Sequence, residues 1–156
     1  MMNVLFLNCD FFEFDRAIAK MLRIMNYKVD SYCYVKEAGF LDIKMANREG
    51  KRAIDVSIKR QQKRVLKRVD KAGGEYDVVL VTAGQALLLE SLEHLKRRLP
   101  KALFVWYLWD GTDNIPLFEE QKKYYDVFIS FDKVFLAIKQ GIFKGFIRNY
   151  RQIPTF

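Results

Sequence analysis

Carboxylates, small polar turns and aromatic rings recur in four short stretches of the sequence, each directly after an apolar run. The stretches are Asn8-Cys9-Asp10-Phe11-Phe12-Glu13, Thr82-Ala83-Gly84-Gln85, Trp109-Asp110-Gly111-Thr112-Asp113-Asn114 and Phe131-Asp132. Carboxylates accept hydrogen bonds from hydroxyl groups, and aromatic faces cover the apolar side of a sugar ring. The mixture therefore suits a carbohydrate ligand. For any one of these residues, a helix cap or a core aromatic is the structural alternative.

The apolar runs that precede these stretches have the pattern of strands buried on both faces of a sheet. They span residues 3–8, 76–82, 102–108 and 126–131, and residues 28–34 alternate as expected for a strand nearer a sheet edge. Apolar residues at helical spacing predict helices over residues 14–26, 48–72, 85–99 and 133–140. A final extended piece is predicted near residues 143–147.

Strands and helices thus alternate along the chain. This alternation predicts an α/β fold, a Rossmann-like three-layer α/β/α sandwich with a mostly parallel sheet, because each right-handed crossover lays its helix on one face. The predicted strand order is 2-1-3-4-5, with room for a sixth edge strand, and residues 1–156 are expected to form a single domain. In such sheets ligands bind beyond the carboxyl ends of the strands, where the four polar stretches lie.

Several well-known chemistries lack their required residues. No GxGxxG follows the first strand, and no GxxxxGK[ST] occurs anywhere, so a dinucleotide or P-loop nucleotide is not expected. A phospho-receiver domain has the same topology but needs an aspartate at the end of the third strand, where this chain has Thr82-Ala83-Gly84. His94 is the only histidine, and Cys9 and Cys33 are too few for a metal site or a disulfide framework. We expect no cofactor and no metal.

The net charge of +8 comes from one segment. Residues 44–71 contain eleven Lys or Arg against three acids, while the rest of the chain has sixteen of each sign. The helix in this segment has one apolar stripe among its bases, which fits either a solvated outer face or contact with an anionic membrane, an acidic partner or, least expected, a nucleic acid. The bases proposed for such contact are Lys59, Arg60, Lys63, Arg64, Lys67 and Arg68.

The location expected from the sequence is the cytoplasm. No apolar stretch approaches the roughly 20 residues that cross a bilayer. The first residues lack the basic region and cleavage site of a signal peptide. Binding of the basic helix to lipid would add a peripheral position at the inner membrane face.

Four segments carry a resemblance to a known family. Asn3-Val4-Leu5-Phe6-Leu7, Tyr76-Asp77-Val78-Val79-Leu80-Val81, Tyr107-Leu108-Trp109-Asp110 and Tyr125-Asp126-Val127-Phe128-Ile129-Ser130-Phe131-Asp132 resemble the amino-terminal domain of bacterial capsule and lipopolysaccharide glycosyltransferases of the two-domain GT-B architecture. The resemblance implies an acceptor-binding domain with Asp10 as general base and with Trp109, Asp110 and Asp132 lining the cleft. The strand-end loops add Phe11, Phe12, Glu13, Gly84 and Gln85 as candidate sugar contacts.

The same resemblance implies partners. A sugar or lipid-linked acceptor would bind this chain, and a second chain would carry the donor-binding domain, since the sequence ends at Phe156 where the family passes into that domain. A truncated product or an isolated domain would have the same sequence. The alternative function is a non-enzymatic Rossmann-like interaction module whose basic helix binds an acidic partner, a membrane surface or a nucleic acid.

Overall fold

The structure, a computed structural model, describes residues 1–10, 13–35, 51–109, 111, 115 and 117–130, with the backbone alone for residues 51–55. The elements in chain order are β1 (Asn3–Asn8), α1 (Phe14–Ile24), β2 (Lys28–Cys33), α2 (Lys51–Ala72), β3 (Val78–Thr82), α3 (Leu89–Arg98), β4 (Leu103–Tyr107), α4 (Phe118–Lys122) and β5 (Val127–Ile129). Strands and helices alternate as the sequence predicts.

The five strands form one parallel sheet in the order β2-β1-β3-β4-β5. Val4 of β1 lies between Val29 of β2 and Val78 of β3 in this register. The predicted three-layer α/β/α fold, the parallel sheet and the strand order are therefore confirmed. The predicted helix over residues 133–140 and the sixth strand near residues 143–147 lie outside the described residues.

The two faces of the sheet are covered differently. Alternate side chains of the central strands face α2 and α3 in one buried core, which contains Leu5, Leu7, Val79, Val81, Phe104 and Trp106 of the sheet with Ile58, Val65 and Val69 of α2 and Leu92 and Leu95 of α3. The side chains that alternate with these along the strands point to the opposite face of the sheet and meet α1, as the hydrogen bond between Thr82 and Asp15 demonstrates. Each large side chain buried in this way stabilises the fold by about 2 kcal/mol.

Local signals end two of the helices. After α1, Asn26 adopts a left-handed φ of 64°, and Tyr27 N–H donates to the carbonyl of Leu22 at 3.1 Å. This is the helix-ending motif in which asparagine or glycine takes the left-handed position. Gly73, with φ 63°, follows α2 in the same way. Both ends lie within two residues of where the sequence predicts them.

Two predictions of helices need correction. The helix after β3 begins at Leu89 and not at residue 85, because Ala83 and Gly84 are left-handed and the next residues form a turn. Leu88, extended with φ −69° and ψ 146°, then precedes the first helical residue. The short helix α4 was not predicted, since five residues give too little apolar periodicity to detect.

Candidate functional site

Left-handed backbone marks the carboxyl ends of β1 and β3. Asp10 has φ 53°, Ala83 has φ 61° and Gly84 has φ 80°. The chain passes from β1 to one face of the sheet and from β3 to the other, so this is the switch point at which open α/β sheets form their ligand crevice. A non-glycine residue in this conformation costs about 1 kcal/mol and persists only where its surroundings hold it.

Hydrogen bonds hold the turn centred on Ala83. Gly84 N–H donates to the carbonyl of Thr82 at 2.8 Å and to the hydroxyl of Tyr34 at 2.9 Å, and Ala83 N–H donates to the carbonyl of Tyr107 at 3.0 Å. The hydroxyl of Tyr34 donates in turn to the carbonyl of Thr82 at 2.9 Å. Burial raises the pKa of the Tyr34 phenol well above its ordinary value, so the hydroxyl retains the proton that it donates.

The indole of Trp106 closes one side of this turn. Its Nε1 donates to the carbonyl of Ala83 at 2.8 Å. A Cβ atom placed on Gly84 would lie 2.1 Å from the same Nε1, so the ring rests directly on the glycine. The ring also stacks at 4.6 Å from Tyr125 and 5.5 Å from Phe118. A protein side chain therefore fills the space over this part of the switch point.

The side chain of Thr82, the last residue of β3, points to the opposite face. Its hydroxyl donates to Asp15 Oδ1 at 2.8 Å, and the thiol of Cys9 lies 3.8 Å from Asp15 Oδ2. All three residues are buried. At the position where a phospho-receiver domain needs its aspartate, this chain thus has a hydroxyl that is hydrogen-bonded to a neighbouring helix.

We expect Thr82→Val to lower the free energy of unfolding by about 2 kcal/mol, since valine keeps the shape but removes a donor from the buried Asp15. Thr82→Ser, which keeps the hydroxyl and loses one methyl group, is expected to cost about 0.8 kcal/mol. Urea unfolding measures both. An equal loss in the two variants would contradict the role assigned to the hydrogen bond.

Two buried glutamines clamp the loop between β3 and α3. Gln62 of α2 donates from Nε2 to the carbonyl of Ala86 at 2.6 Å, and its Oε1 accepts from Leu88 N–H at 3.1 Å and from the Ser91 hydroxyl at 2.7 Å. Gln121 of α4 donates from Nε2 to the carbonyl of Leu87 at 2.7 Å. The carbonyls of Ala86 and Leu87 and the N–H of Leu88 are thus engaged by the protein itself.

Asp10, the predicted general base, and Glu13, a predicted sugar contact, are both exposed. Asp10 N–H donates to Asn8 Oδ1 at 3.2 Å, a short local turn. Asp10 does not cap α1, because the residue at that position is Glu13, which makes no capping hydrogen bond through its side chain. Glu13 instead forms an ion pair with Arg16 at 3.1 Å.

The other predicted sugar contacts differ in how deeply they are buried. Gly84 is buried beneath Trp106, Gln85 is half-buried, and the half-exposed ring of Trp109 meets Phe14 and Tyr107 edge-on, each at 6.4 Å between ring centres. Four predicted contacts lie outside the described residues: Phe11, Phe12, Asp110 and Asp132. Of the predicted sugar contacts that the structure describes, Gly84 belongs to the closed turn at Ala83.

The basic residues of α2 are on the surface. Lys59, Arg60, Lys63, Arg64, Lys67 and Arg68 are all exposed, as a solvated outer face requires. Lys59 forms an ion pair with Glu90 of α3 at 3.7 Å. His94 of α3 lies 3.1 Å from Asp70 and is partly exposed.

The described part of the chain has neither a clustered metal site nor a membrane-spanning helix. Within it, no group of three or more His, Cys, Asp or Glu side chains is arranged to hold a metal ion. No helix there is both long enough and apolar enough to cross a bilayer.

The buried polar residues that organise this region were not predicted from the sequence: Asp15, Tyr34, Gln62, Trp106 and Gln121. Two of them had a signal in the sequence. Gln62 falls in the apolar stripe of Ile58, Val65 and Val69 at spacings of four, three and four, which predicts a buried amide. Asp15 shares the buried side of α1 with Ala19 by the same spacing.

Comparisons with known proteins return similar structures but no family. No family model matches the chain, and the search of curated proteins finds no match. The response regulator TrrA of Thermotoga maritima, solved with Mg(2+)-BeF, is similar with a TM-score of 0.49 and 13% identity over 92% of this chain and 98% of its own. The receiver domain of NtrC4 from Aquifex aeolicus gives 0.48 and 11%, also over 92% of this chain and 98% of its own.

A third similar structure is that of the histidine kinase ThkA in complex with TrrA, with a TM-score of 0.46 and 13% identity over 90% of this chain and 97% of that one. These similar structures belong to response-regulator receiver domains and not to glycosyltransferases. The predicted resemblance to a glycosyltransferase amino-terminal domain is therefore wrong. In the one predicted stretch that the structure describes completely, residues 82–85, the turn at Ala83 is closed by Trp106 and Tyr34.

The predictions that depended on that resemblance fail with it. The predicted partners are wrong: a sugar or lipid-linked acceptor, an anionic membrane surface and a second chain carrying a donor-binding domain. The alternative function, an interaction module acting through its basic helix, does not match these structures either. The roles of Asp10 as base and of the strand-end residues as sugar contacts stay predictions.

Proposed function

We propose that this chain is a receiver-like signalling domain that acts by recognising a partner protein and is not switched by phosphorylation at the end of β3. The observation that carries the proposal is the buried hydrogen bond from Thr82 to Asp15 at 2.8 Å. A phospho-receiver domain needs a carboxylate at that strand end, where it can be reached from solvent. Thr82 offers a buried hydroxyl that is already engaged.

The surroundings of Thr82 support the same proposal. Opening the turn to a phosphoryl group would break the hydrogen bonds of Tyr34, Gly84 and Trp106, each of which contributes about 1 kcal/mol. A domain whose switch point is closed by such hydrogen bonds binds its partner through the protein surface and not through a ligand held at the switch point. We place it in the cytoplasm as one domain over residues 1–156.

The test uses two phosphoryl probes. The protein is incubated with acetyl phosphate and Mg²⁺ and its intact mass is measured, and beryllofluoride with Mg²⁺ is titrated while the amide resonances of Asp10, Ala83 and Gly84 are followed. We expect no phosphoryl adduct and no saturable shift. TrrA, solved with Mg(2+)-BeF, serves as the positive control for the second probe. An adduct on Asp10 or Asp15 that hydroxylamine removes would overturn the proposal.

A further inference from the structure

Among the five strands that the structure describes, β2 lies at one edge of the sheet. Lys28 N–H donates to the carbonyl of Met2 at 3.0 Å, and Tyr34 N–H donates to that of Asn8 at 2.8 Å, so even-numbered residues of this segment are hydrogen-bonded towards β1. Successive residues of a strand direct their N–H and carbonyl groups to opposite sides. The carbonyls that point away from the sheet are therefore those of Val29, Ser31 and Cys33.

Two side chains engage these outer carbonyls. Arg23 of α1 donates from Nη2 to the carbonyl of Val29 at 3.4 Å, and Gln61 of α2 donates from Nε2 to the carbonyl of Cys33 at 2.9 Å. Because α1 and α2 cover opposite faces of the sheet, the edge is reached from both sides. Arg23 is exposed and Gln61 is half-exposed, so water would otherwise solvate these carbonyls and folding alone does not require the two donors.

The outer edge of β2 is complementary to itself. In an antiparallel pair with a two-fold axis at Ser31, Val29 of each copy lies opposite Cys33 of the other, and Asp30 lies opposite Tyr32. No residue of β2 then faces a like charge, which would oppose the pairing. The ladder of such a pair uses the outer carbonyls of Val29 and Cys33, which are the two that side chains of the same chain already engage.

We infer that Arg23 and Gln61 keep the outer edge of β2 from pairing with the same edge of a second copy of the chain. Pairing would break both hydrogen bonds in each copy before the ladder could form, so it gains little over two separate chains. An unprotected strand edge is a template for the strand of another chain, and side chains that occupy it remove that template. This role concerns self-association and is independent of the proposed recognition of a partner protein.

The test combines Arg23→Ala with Gln61→Ala in one chain. Sedimentation equilibrium is expected to give a monomer for the unchanged chain and at least about tenfold tighter self-association for the double variant. Each single substitution, which releases one carbonyl per copy, should give a smaller increase. Arg16→Ala is the matched control, because it removes the same charge from α1 while Arg16 pairs with Glu13 and not with β2. This control should stay monomeric.

Amide hydrogen exchange identifies the edge that pairs. In the unchanged chain the outward N–H of Ser31 should exchange faster than the N–H of Tyr32, which points towards β1. In the double variant, Ser31 should become protected as the protein concentration rises. A double variant that stays monomeric, self-association that leaves exchange at Ser31 unchanged, or dimerisation of the unchanged chain through β2 would each overturn the inference. If the double variant unfolds, Arg23→Ala alone carries the same comparison.

Discussion

Replacing Gly84 by alanine is expected to lower the free energy of unfolding by about 4 kcal/mol. The new Cβ would lie 2.1 Å from Nε1 and 2.4 Å from Cε2 of Trp106, whose indole is held by neighbouring rings. Overlap of this kind costs about 3 kcal/mol, and the left-handed backbone at φ 80° adds about 1 kcal/mol for any residue with a Cβ. Urea unfolding of the purified chain measures the loss.

Gly73→Ala is the matched control. Gly73 has a similar φ of 63°, but its nearest neighbour is the carbonyl oxygen of Lys71 at 4.0 Å, an ordinary contact. We expect only the backbone cost, about 1 kcal/mol. A Trp106→Phe background supplies a second control, because phenylalanine lacks the indole atoms that the Cβ meets. There Gly84→Ala should cost about 1 kcal/mol, and simple additivity of the two changes would refute the proposed clash.

The second large effect is expected for Gln62→Met, at about 3 kcal/mol. Methionine has a similar length and fills the same space, but it leaves three groups without the amide: the buried carbonyl of Ala86, the partly buried N–H of Leu88 and the buried hydroxyl of Ser91. Each such loss costs about 1 kcal/mol. Because these groups begin α3, hydrogen exchange at Leu88 and Ser91 should accelerate along with the loss of stability.

The neighbouring glutamine provides the comparison. Gln61 is half-exposed and donates one hydrogen bond, from Nε2 to the carbonyl of Cys33 at 2.9 Å. Gln61→Met is expected to cost about 0.5 kcal/mol and to leave exchange at Leu88 unchanged. A cost as large as that of Gln62→Met would mean that the clamp on the β3–α3 loop is not what Gln62 provides.

The failed resemblance has a structural explanation. The segment Tyr107-Leu108-Trp109 consists of the last residue of β4 and the two residues that follow it, of which Leu108 is fully buried and Trp109 meets Phe14. The segment that begins at Tyr125 is β5 with the residues before it. Apolar residues followed by a polar turn occur wherever a parallel strand leaves a core, whatever the ligand. Short matches at strand ends therefore predicted the strands well and the chemistry wrongly.

The sequence by itself determined the fold class, the parallel sheet, its strand order and two helix ends at Asn26 and Gly73, because apolar periodicity and left-handed residues are local properties. Only the tertiary structure decided which side chains contact the carboxyl end of β3. Thr82 and Asp15 are 67 residues apart in sequence, and Trp106 reaches Ala83 from 23 residues away. Such contacts depend on where the sheet places each strand end, so the sequence alone could not show that Trp106 and Tyr34 close the turn at Ala83.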